Sequence, residues 1–233
     1  MKKLAIIPAR GGSKRIPRKN IRDFLGKPII AYSIEAAKNA KLFDEIMVST
    51  DDEEIANISK KYGANIPFFR SKKNSNDFAT LSDVCLEVIE EYEKMGIKFE
   101  IACCILPTAP LIKYENILKA FEILKKENLD SVITVTEYNY PIQRSLRVIN
   151  NKVYMNWPEN INIRSQDLEK MYHDAGQFYI FKVTELKKQK KLFMENTGAI
   201  ILNNLEVQDI DTEIDWKLAE MKFKLIFQAG ELC

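Results

Sequence analysis

Basic residues and adjacent glycines follow the first apolar segment of the chain. The segment reads Ala9, Arg10, Gly11, Gly12, Ser13, Lys14, Arg15, Ile16, Pro17, Arg18, Lys19 and Asn20. Glycines let backbone N–H groups approach an anion closely, and the five cations gather positive charge on one loop. The segment has neither the Walker pattern nor the Gly-x-Gly-x-x-Gly pattern of dinucleotide sites. It therefore predicts a polyphosphate-binding loop, with a solvated basic turn as the alternative.

Two acidic residues near the C-terminus form a second candidate site. Asp209 and Asp211 flank Ile210. Alternate residues of an extended segment point to the same side, so the two carboxylates can converge on one hard cation, for which Mg²⁺ is the natural candidate. Acidic residues before a helix also act as caps, and Thr212 with Asp215 forms a capping-box pattern. The residues themselves leave both interpretations open.

The elements that position these groups follow from the alternation of short apolar segments with amphipathic ones. Strands are predicted at 4–9, 45–50, 101–106, 131–136, 178–183 and 199–202. Helices are predicted at 29–40, 114–128 and 215–227, after a Thr50–Glu53 capping box up to residue 63, and after a Thr80–Asp83 capping box up to about residue 95. This order predicts an α/β fold with a doubly wound, mostly parallel sheet covered on both faces. Open sheets of this class bind ligands at the carboxyl ends of their strands, where the basic loop lies, and this favours the polyphosphate interpretation.

One segment interrupts the alternation. Residues 138–175 are predicted to form an inserted arm, with a hairpin turn at Asn150-Asn151. We expect the whole chain, 1–233, to be a single domain that carries this arm.

Composition excludes several classes of protein. The chain has 233 residues, 35 Lys and Arg against 33 Asp and Glu, and a net charge of +2, so no global field favours nucleic acid or anionic membrane. A single histidine and four cysteines without ligand spacing argue against zinc and indicate reduced thiols. The apolar stretches are too short to cross a bilayer, and we expect a cytoplasmic protein.

Four short motifs occur together in a fixed order. These are Ile7-Pro8-Ala9-Arg10-Gly11-Gly12-Ser13-Lys14 with Lys19-Asn20, then Val48-Ser49-Thr50-Asp51-Asp52, Pro107-Thr108-Ala109-Pro110, and Asp209-Ile210-Asp211-Thr212. The set resembles the acylneuraminate cytidylyltransferases, the CMP-sialic acid synthetase family, over nearly the whole chain. The resemblance implies a nucleotidyltransferase fold, a homodimer, and transfer of CMP from CTP to a 2-keto sugar acid with release of pyrophosphate.

The resemblance also implies roles for individual residues. The resemblance implies that Arg10, Lys19 and Asp211 are catalytic and that Asp209 and Asp211 bind Mg²⁺. The nucleotide-binding residues that it implies are Ala9, Arg10, Gly11, Gly12, Ser13, Lys14, Lys19, Asn20, Arg70 and Thr80. The expected reaction is an in-line attack of the sugar's anomeric 2-hydroxyl on the α-phosphorus, in which positioning and electrostatics dominate.

Departures from the sialic-acid pattern bear on the sugar. Leu106 stands where sialic-acid members commonly have Gln, and a site that lacks one polar partner discriminates strongly between related substrates. The strings at 141–144, 164–167 and 173–179 resemble the pseudaminic acid branch, which adds Leu106, Gln143, Arg164, His173, Gln177 and Tyr179 as candidate sugar-binding residues. Arm cations Arg144, Arg164 and Lys170 suit a sugar carboxylate, and family dimers lend arm residues to the partner's site. The alternatives are legionaminic, sialic or ketodeoxyoctonic acid as substrate, or a non-catalytic nucleotide-binding module.

Overall fold

The structure, a computed structural model, describes residues 2–228. Its strands are β1 (Lys3–Pro8), β2 (Asp23–Phe24), β3 (Lys27–Pro28), β4 (Glu45–Ser49), β5 (Ile101–Ile105), β6 (Ser131–Glu137), β7 (Leu146–Ile149), β8 (Lys152–Met155), β9 (Tyr172–Lys182) and β10 (Thr197–Leu202). Its helices are α1 (Ile29–Asn39), α2 (Glu53–Lys61), α3 (Leu81–Lys94), α4 (Tyr114–Lys126), α5 (Val183–Gln189) and α6 (Glu213–Phe227).

The central sheet has the strand order β10-β6-β9-β5-β1-β4. β1 runs parallel to β4 and β5, and β10 runs parallel to β6. β9 is antiparallel to both of its neighbours, so the sheet is mostly parallel, as predicted. The carboxyl ends of β4, β1 and β5 meet at one edge, which places the loops after Pro8, Ser49 and Ile105 side by side.

Helices cover both faces of this sheet. Along β1, Ala5 and Ile7 belong to a core with residues of α1, α2 and α4, whereas Leu4 and Ile6 belong to a core with residues of α3 and α5. All four side chains are completely buried. Successive strand residues point to opposite faces, so a continuous apolar strand requires cover on both sides. The prediction of a doubly wound sheet is therefore confirmed.

A smaller aromatic cluster attaches the first loop to the last helix. Phe24 packs edge-to-face on Trp216 of α6, with ring centroids 5.5 Å apart. Ile16 and Ile210 are buried in the same cluster, and each is only 1% exposed. The cluster thus holds the basic loop against the segment that carries Asp209 and Asp211, although they are almost 200 residues apart in sequence.

Two of the three predicted capping boxes are present. Thr80 with Asp83 caps α3, and Thr212 with Asp215 caps α6. The third prediction is wrong, because α2 is capped by Asp52, whose carboxylate accepts a hydrogen bond from the backbone N–H of Ile55 at 2.9 Å. Helix α5 was not predicted at all.

The arm lies outside the central sheet. β7 and β8 form an antiparallel hairpin whose turn residues, Asn150 and Asn151, have φ values of 49° and 60°, which confirms the predicted turn. β9 begins at Tyr172, so the part that leaves the sheet covers 138–171 and residues 172–175 belong to β9.

Two composition-based predictions concern thiols and membranes. Cys85, Cys103 and Cys104 are free and buried, and Cys233 lies outside the described residues. Within residues 2–228, no helix has the length and apolar character needed to cross a membrane.

Candidate active site

Hydrogen bonds fix the conformation of the basic loop after β1. The buried Asn20 side chain donates from Nδ2 to the carbonyl of Arg10 at 2.9 Å and so closes the loop on itself. The backbone N–H of Gly11 donates to Asp51 Oδ1 at 2.9 Å, at the carboxyl end of the neighbouring β4. A carboxylate thus already binds one of the loop amides that the sequence assigns to an anion.

The basic loop and the Asp209–Asp211 segment meet directly. Lys19 Nζ donates to the carbonyl of Ile210 at 2.6 Å and lies 3.9 Å from a carboxylate oxygen of Asp211. Arg15 pairs with the other carboxylate oxygen of Asp211 at 2.6 Å. Burial lowers the pKa of Lys19, and the charges of Asp211 and Asp209 oppose that effect. The two groups of residues therefore form one site.

Asp77 is a site residue that the sequence analysis missed. Its carboxylate pairs with Arg10 at 2.7 Å and with Lys14 at 2.5 Å. Hydrogen bonds from these two cations lower the pKa of Asp77 below its ordinary value. No local pattern marks this residue, because its partners lie 63 and 67 residues earlier in the chain. Two of the loop cations, Arg10 and Lys14, thus pair with a carboxylate of the protein itself.

Arg70 and Thr80, two of the predicted nucleotide-binding residues, lie in different surroundings. Arg70 is 8% exposed and donates from Nε to Ser49 Oγ at 3.0 Å, close to the end of β4. Burial lowers the pKa of its guanidinium, and the charge of Asp51 opposes that effect. Thr80 is exposed, and its hydroxyl bonds the Asp83 carboxylate at 2.7 Å as part of the α3 cap. Their contact with the nucleotide stays a prediction.

A cavity of about 560 Å³ adjoins the acidic segment. Its lining comprises Leu106, Thr136, Asn139, His173, Asp174, Ala175, Gly176, Tyr179, Asn204, Val207, Gln208, Asp209 and Lys222. Three of the predicted sugar-binding residues, Leu106, His173 and Tyr179, are among them. Asp209 faces this cavity while Asp211 contacts the basic loop, so the short segment between them joins the two halves of the site.

Hydrogen bonds fix the wall formed by β9. The Tyr179 hydroxyl donates to Asp174 Oδ2 at 2.7 Å, and the backbone N–H of Gly176 donates to Asp174 Oδ1 at 2.8 Å. Burial and the bond to Asp174 raise the pKa of Tyr179. The His173 ring stacks at a tilt on Tyr138, with centroids 4.8 Å apart. This wall presents polar atoms held by hydrogen bonds, and its tyrosine stays protonated at neutral pH.

Three other predicted sugar-binding residues do not line the cavity within this chain. Gln177 is 4% exposed and donates from Nε2 to the carbonyl of Glu206. Gln143 donates to the carbonyl of Glu169 at 2.8 Å, and Arg164 pairs with Asp167 at 2.7 Å, both inside the arm. The structure therefore divides the predicted set into cavity residues and arm residues.

Comparison with known proteins identifies the family. A family model described as "Cytidylyltransferase" matches residues 4–217. The chain belongs to the cytidylyltransferase family. A pseudaminic acid cytidylyltransferase of Campylobacter jejuni is 43% identical over 226 residues, 97% of each chain. A CMP-N,N'-diacetyllegionaminic acid synthase of Legionella pneumophila is 34% identical over 228 residues, again 97% of each chain. These matches confirm the resemblance found in the sequence motifs.

Solved structures of other cytidylyltransferases share the fold. CMP:2-keto-3-deoxy-manno-octonic acid synthetase complexed with CTP matches with a TM-score of 0.69 at 18% identity, covering 100% of both chains. A 4-diphosphocytidyl-2C-methyl-D-erythritol synthase from Anaerococcus prevotii matches with a TM-score of 0.64 at 18% identity, covering 96% of this chain and 98% of that one. At these identities the likeness concerns architecture, and it confirms the predicted nucleotidyltransferase fold.

The carboxylates of the acidic segment are ligands of the kind that Mg²⁺ prefers, and their binding of Mg²⁺ stays a prediction. Proteins bind Mg²⁺ through one or two carboxylates together with substrate phosphates and water, rather than through a complete protein cage. Among residues 2–228, no cluster of three or more His, Cys, Asp or Glu side chains could hold a metal alone. Asp209 and Asp211, next to the loop predicted to bind phosphate, match this open type of site.

Proposed function

We propose that this cytidylyltransferase converts CTP and pseudaminic acid, a nine-carbon 2-keto sugar acid, to CMP-pseudaminic acid and pyrophosphate in the cytoplasm, to supply glycosylation of surface glycans or flagellin. The observation that carries the proposal is the direct junction of the basic loop with the acidic segment, through Arg15 and Asp211 at 2.6 Å and Lys19 and Ile210 at 2.6 Å. The identity of 43% to a relative named for this sugar supports the choice of acceptor.

The basic loop binds the triphosphate. Arg10 and Lys19 contact its oxygens and stabilise the negative charge that develops on the α-phosphate and on the departing pyrophosphate. Lys14 assists, and the backbone N–H of Gly11 adds a neutral donor once the triphosphate replaces the Asp51 carboxylate that it now bonds. For Arg10 and Lys14 this requires the triphosphate to replace Asp77, their present partner. Asn20, Arg70 and Thr80 bind the nucleoside end.

The reaction is a single in-line displacement. The sugar's 2-hydroxyl oxygen forms a bond to the α-phosphorus and releases its proton to solvent water, while the bond from that phosphorus to the oxygen that bridges it to the β-phosphorus breaks and pyrophosphate leaves with the electron pair. Asp209 and Asp211 hold Mg²⁺, which when bound supplies charge neutralisation and lowers the pKa of the attacking hydroxyl. No covalent enzyme intermediate is required, so the protein contributes by positioning the two substrates and by stabilising charge electrostatically.

The cavity next to Asp209 receives the sugar. Leu106 contributes an apolar wall, and the Tyr179–Asp174 pair presents fixed polar atoms for hydroxyl and acetamido groups. A sugar with a polar group that requires an amide partner at position 106 would find the apolar Leu106 side chain there. That polar group would be buried without a hydrogen-bond partner, so the sugar is rejected.

A panel of sugar acids tests this proposal. Pyrophosphate release from CTP and Mg²⁺ is measured with pseudaminic, legionaminic, N-acetylneuraminic and ketodeoxyoctonic acids. We expect the highest kcat/KM with pseudaminic acid. Equal or higher kcat/KM with another acid refutes the choice of sugar, and no turnover with any of the four refutes the enzymatic assignment to this substrate class.

Asp211→Asn separates catalysis from nucleotide binding. Loss of one carboxylate should abolish turnover, while the affinity for CTP measured without metal changes little, because the loop cations remain. Lys224→Gln, an exposed change on α6, serves as the control with unchanged turnover. Full activity of Asp211→Asn would remove this residue from the metal site.

The arm is the proposed contact with a second copy of the chain. The β7–β8 hairpin exposes Val148 by 68% and Val153 by 60%, and Trp157 just after it by 40%. In a homodimer, Gln143 and Arg164 of one chain would approach the cavity of the other. Sedimentation of wild type and Val148→Lys measures the association state. We expect wild type to be a dimer and the lysine charge of Val148→Lys to weaken dimerisation. A monomeric wild type contradicts the proposed contact.

A further inference from the structure

Lys222 of α6 lines the sugar cavity, although nothing in the sequence motifs pointed to it. Its Nζ donates to the carbonyl of Val207 at 2.6 Å and to the carbonyl of Asn204 at 3.1 Å. Both carbonyls belong to the segment that leads into Asp209. An ammonium group has three donors, so these two bonds leave one N–H of Lys222 for a ligand.

The charge of Lys222 is not neutralised by the protein. Within residues 2–228, no carboxylate forms an ion pair with it, and its two partners are neutral carbonyls. Burial alone lowers its pKa, without an opposing contribution from a nearby acid. A partly buried, unpaired ammonium is costly, and an anionic ligand would remove that cost.

The other cations suited to a sugar carboxylate have partners elsewhere. Arg164 pairs with Asp167 at 2.7 Å, Lys170 pairs with Glu137 at 2.9 Å, and Arg144 donates to the carbonyl of Ile163. Among the described residues that line the cavity, Lys222 is the one Lys or Arg side chain. The cations of the basic loop lie on the Asp211 side of the acidic segment.

We propose that the ammonium group of Lys222 binds the C1 carboxylate of the sugar acid and thereby sets the orientation in which the 2-hydroxyl attacks. This inference rests on the proposed function and adds a specificity-determining residue to it. The carboxylate is attached to the anomeric carbon that bears the reacting hydroxyl, so its placement fixes the position of the nucleophile. The side-chain amides of Asn139 and Asn204 lie in the same cavity wall and carry further N–H donors for the carboxylate, while the amide oxygen of Asn204 accepts a hydrogen bond from the Thr136 hydroxyl at 2.7 Å.

The test compares the sugar acid with its C1 carboxamide in five proteins. These are wild type, Lys222→Gln, Lys222→Arg, Arg164→Gln in the arm, and Lys224→Gln, which removes an exposed charge from the same helix as Lys222. Pyrophosphate release gives KM for the sugar and for CTP. In Lys222→Gln we expect KM for the acid to rise by about tenfold to a hundredfold, the range for a hydrogen bond to a charged group. We expect KM for CTP to stay within about twofold of wild type.

The ratio of kcat/KM for acid over amide isolates the charge from general disturbance of the cavity. Wild type, Lys222→Arg and Lys224→Gln should all prefer the acid, and Lys222→Gln should lose most of that preference. An unchanged preference in Lys222→Gln overturns the inference, even if its overall activity falls. Loss of the preference in Arg164→Gln but not in Lys222→Gln also overturns it, in favour of the arm. If wild type turns over no sugar acid, the proposed function fails first and the inference fails with it.

Discussion

Replacement of Gly11 by alanine tests how tightly the basic loop packs on the neighbouring helix. A Cβ at this position would lie 2.8 Å from Asp52 Oδ2 and 3.0 Å from Asp52 Cβ. Asp52 is not free to move away, because its carboxylate caps α2 and also pairs with Arg18 at 2.6 Å. The substitution therefore forces the cap, the ion pair or the loop out of place.

The cost follows from these contacts. Loss of a helix cap typically costs about 1 kcal/mol, and forcing an extra methyl into a packed site costs about 1–3 kcal/mol. Since the two effects share Asp52 and are not additive, we expect about 2 kcal/mol in total. In a chain of 233 residues that amounts to a melting temperature lower by about 4–8 °C.

Thermal unfolding of matched variants provides the measurement. At Gly12 an added Cβ meets no atom within 4 Å, so Gly12→Ala should stay within about 0.5 kcal/mol of wild type. In an Asp52→Ser background, which retains a capping hydroxyl, Gly11→Ala should cost clearly less than in wild type. Equal melting temperatures for the two alanine variants, or full additivity of Gly11→Ala with Asp52→Ser, would refute the reasoning.

Three further predictions concern the same region. Asp77→Asn should lower KM for CTP by up to about fivefold, the range for exposed ion pairs, because it removes the negative charge that competes with CTP for Arg10 and Lys14. The effect should shrink at 1 M salt, where exposed ion pairs are screened. A raised KM for CTP argues against this competition. The Arg18 hydrogen bond lowers the pKa of the Asp52 carboxyl from 3.8 to about 2. The ionised carboxylate therefore stabilises the fold at neutral pH, and this stabilisation is lost as the pH falls from 3.8 to about 2. In urea unfolding at pH 6, the free energy of unfolding of wild type should exceed that of Asp52→Asn by about 1 kcal/mol, a value that allows for solvent screening. If the same difference persists at pH 2, it contradicts this prediction. Thr212→Ala should cost about 1 kcal/mol by opening the α6 cap and should reduce turnover through the adjacent Asp211, whereas Thr212→Ser should restore both.

Features with local causes were predictable from the sequence. The capping boxes at Thr80 and Thr212 depend on residues three positions apart, and the Asn150-Asn151 turn depends on two residues that tolerate positive φ. The α2 cap was assigned to the wrong residue because Thr50 and Asp52 both suit a cap. Thr50 is held at the end of β4, where its carbonyl accepts a hydrogen bond from the N–H of Arg70, and Asp52 takes the capping role.

Features that depend on distant partners were not predictable in this way. The antiparallel insertion of β9 between β5 and β6 is a property of pairing between strands far apart in sequence. Asp77 acquires its place in the site from cations more than 60 residues away. Lys222 stands three residues after the buried Ala219, and a lysine close to the buried face of a helix was the available signal for it.

The arm leaves and rejoins the sheet at a single point. Glu137 at the end of β6 pairs with Tyr172 at the start of β9, and the N–H of Tyr138 bonds the carbonyl of Met171 at 3.0 Å. The segment between these residues can be lengthened, shortened or exchanged without altering the register of any strand of the central sheet. The architecture therefore lets the arm diversify as a separate module, while the basic loop and the acidic segment, which lie elsewhere in the fold, are left undisturbed.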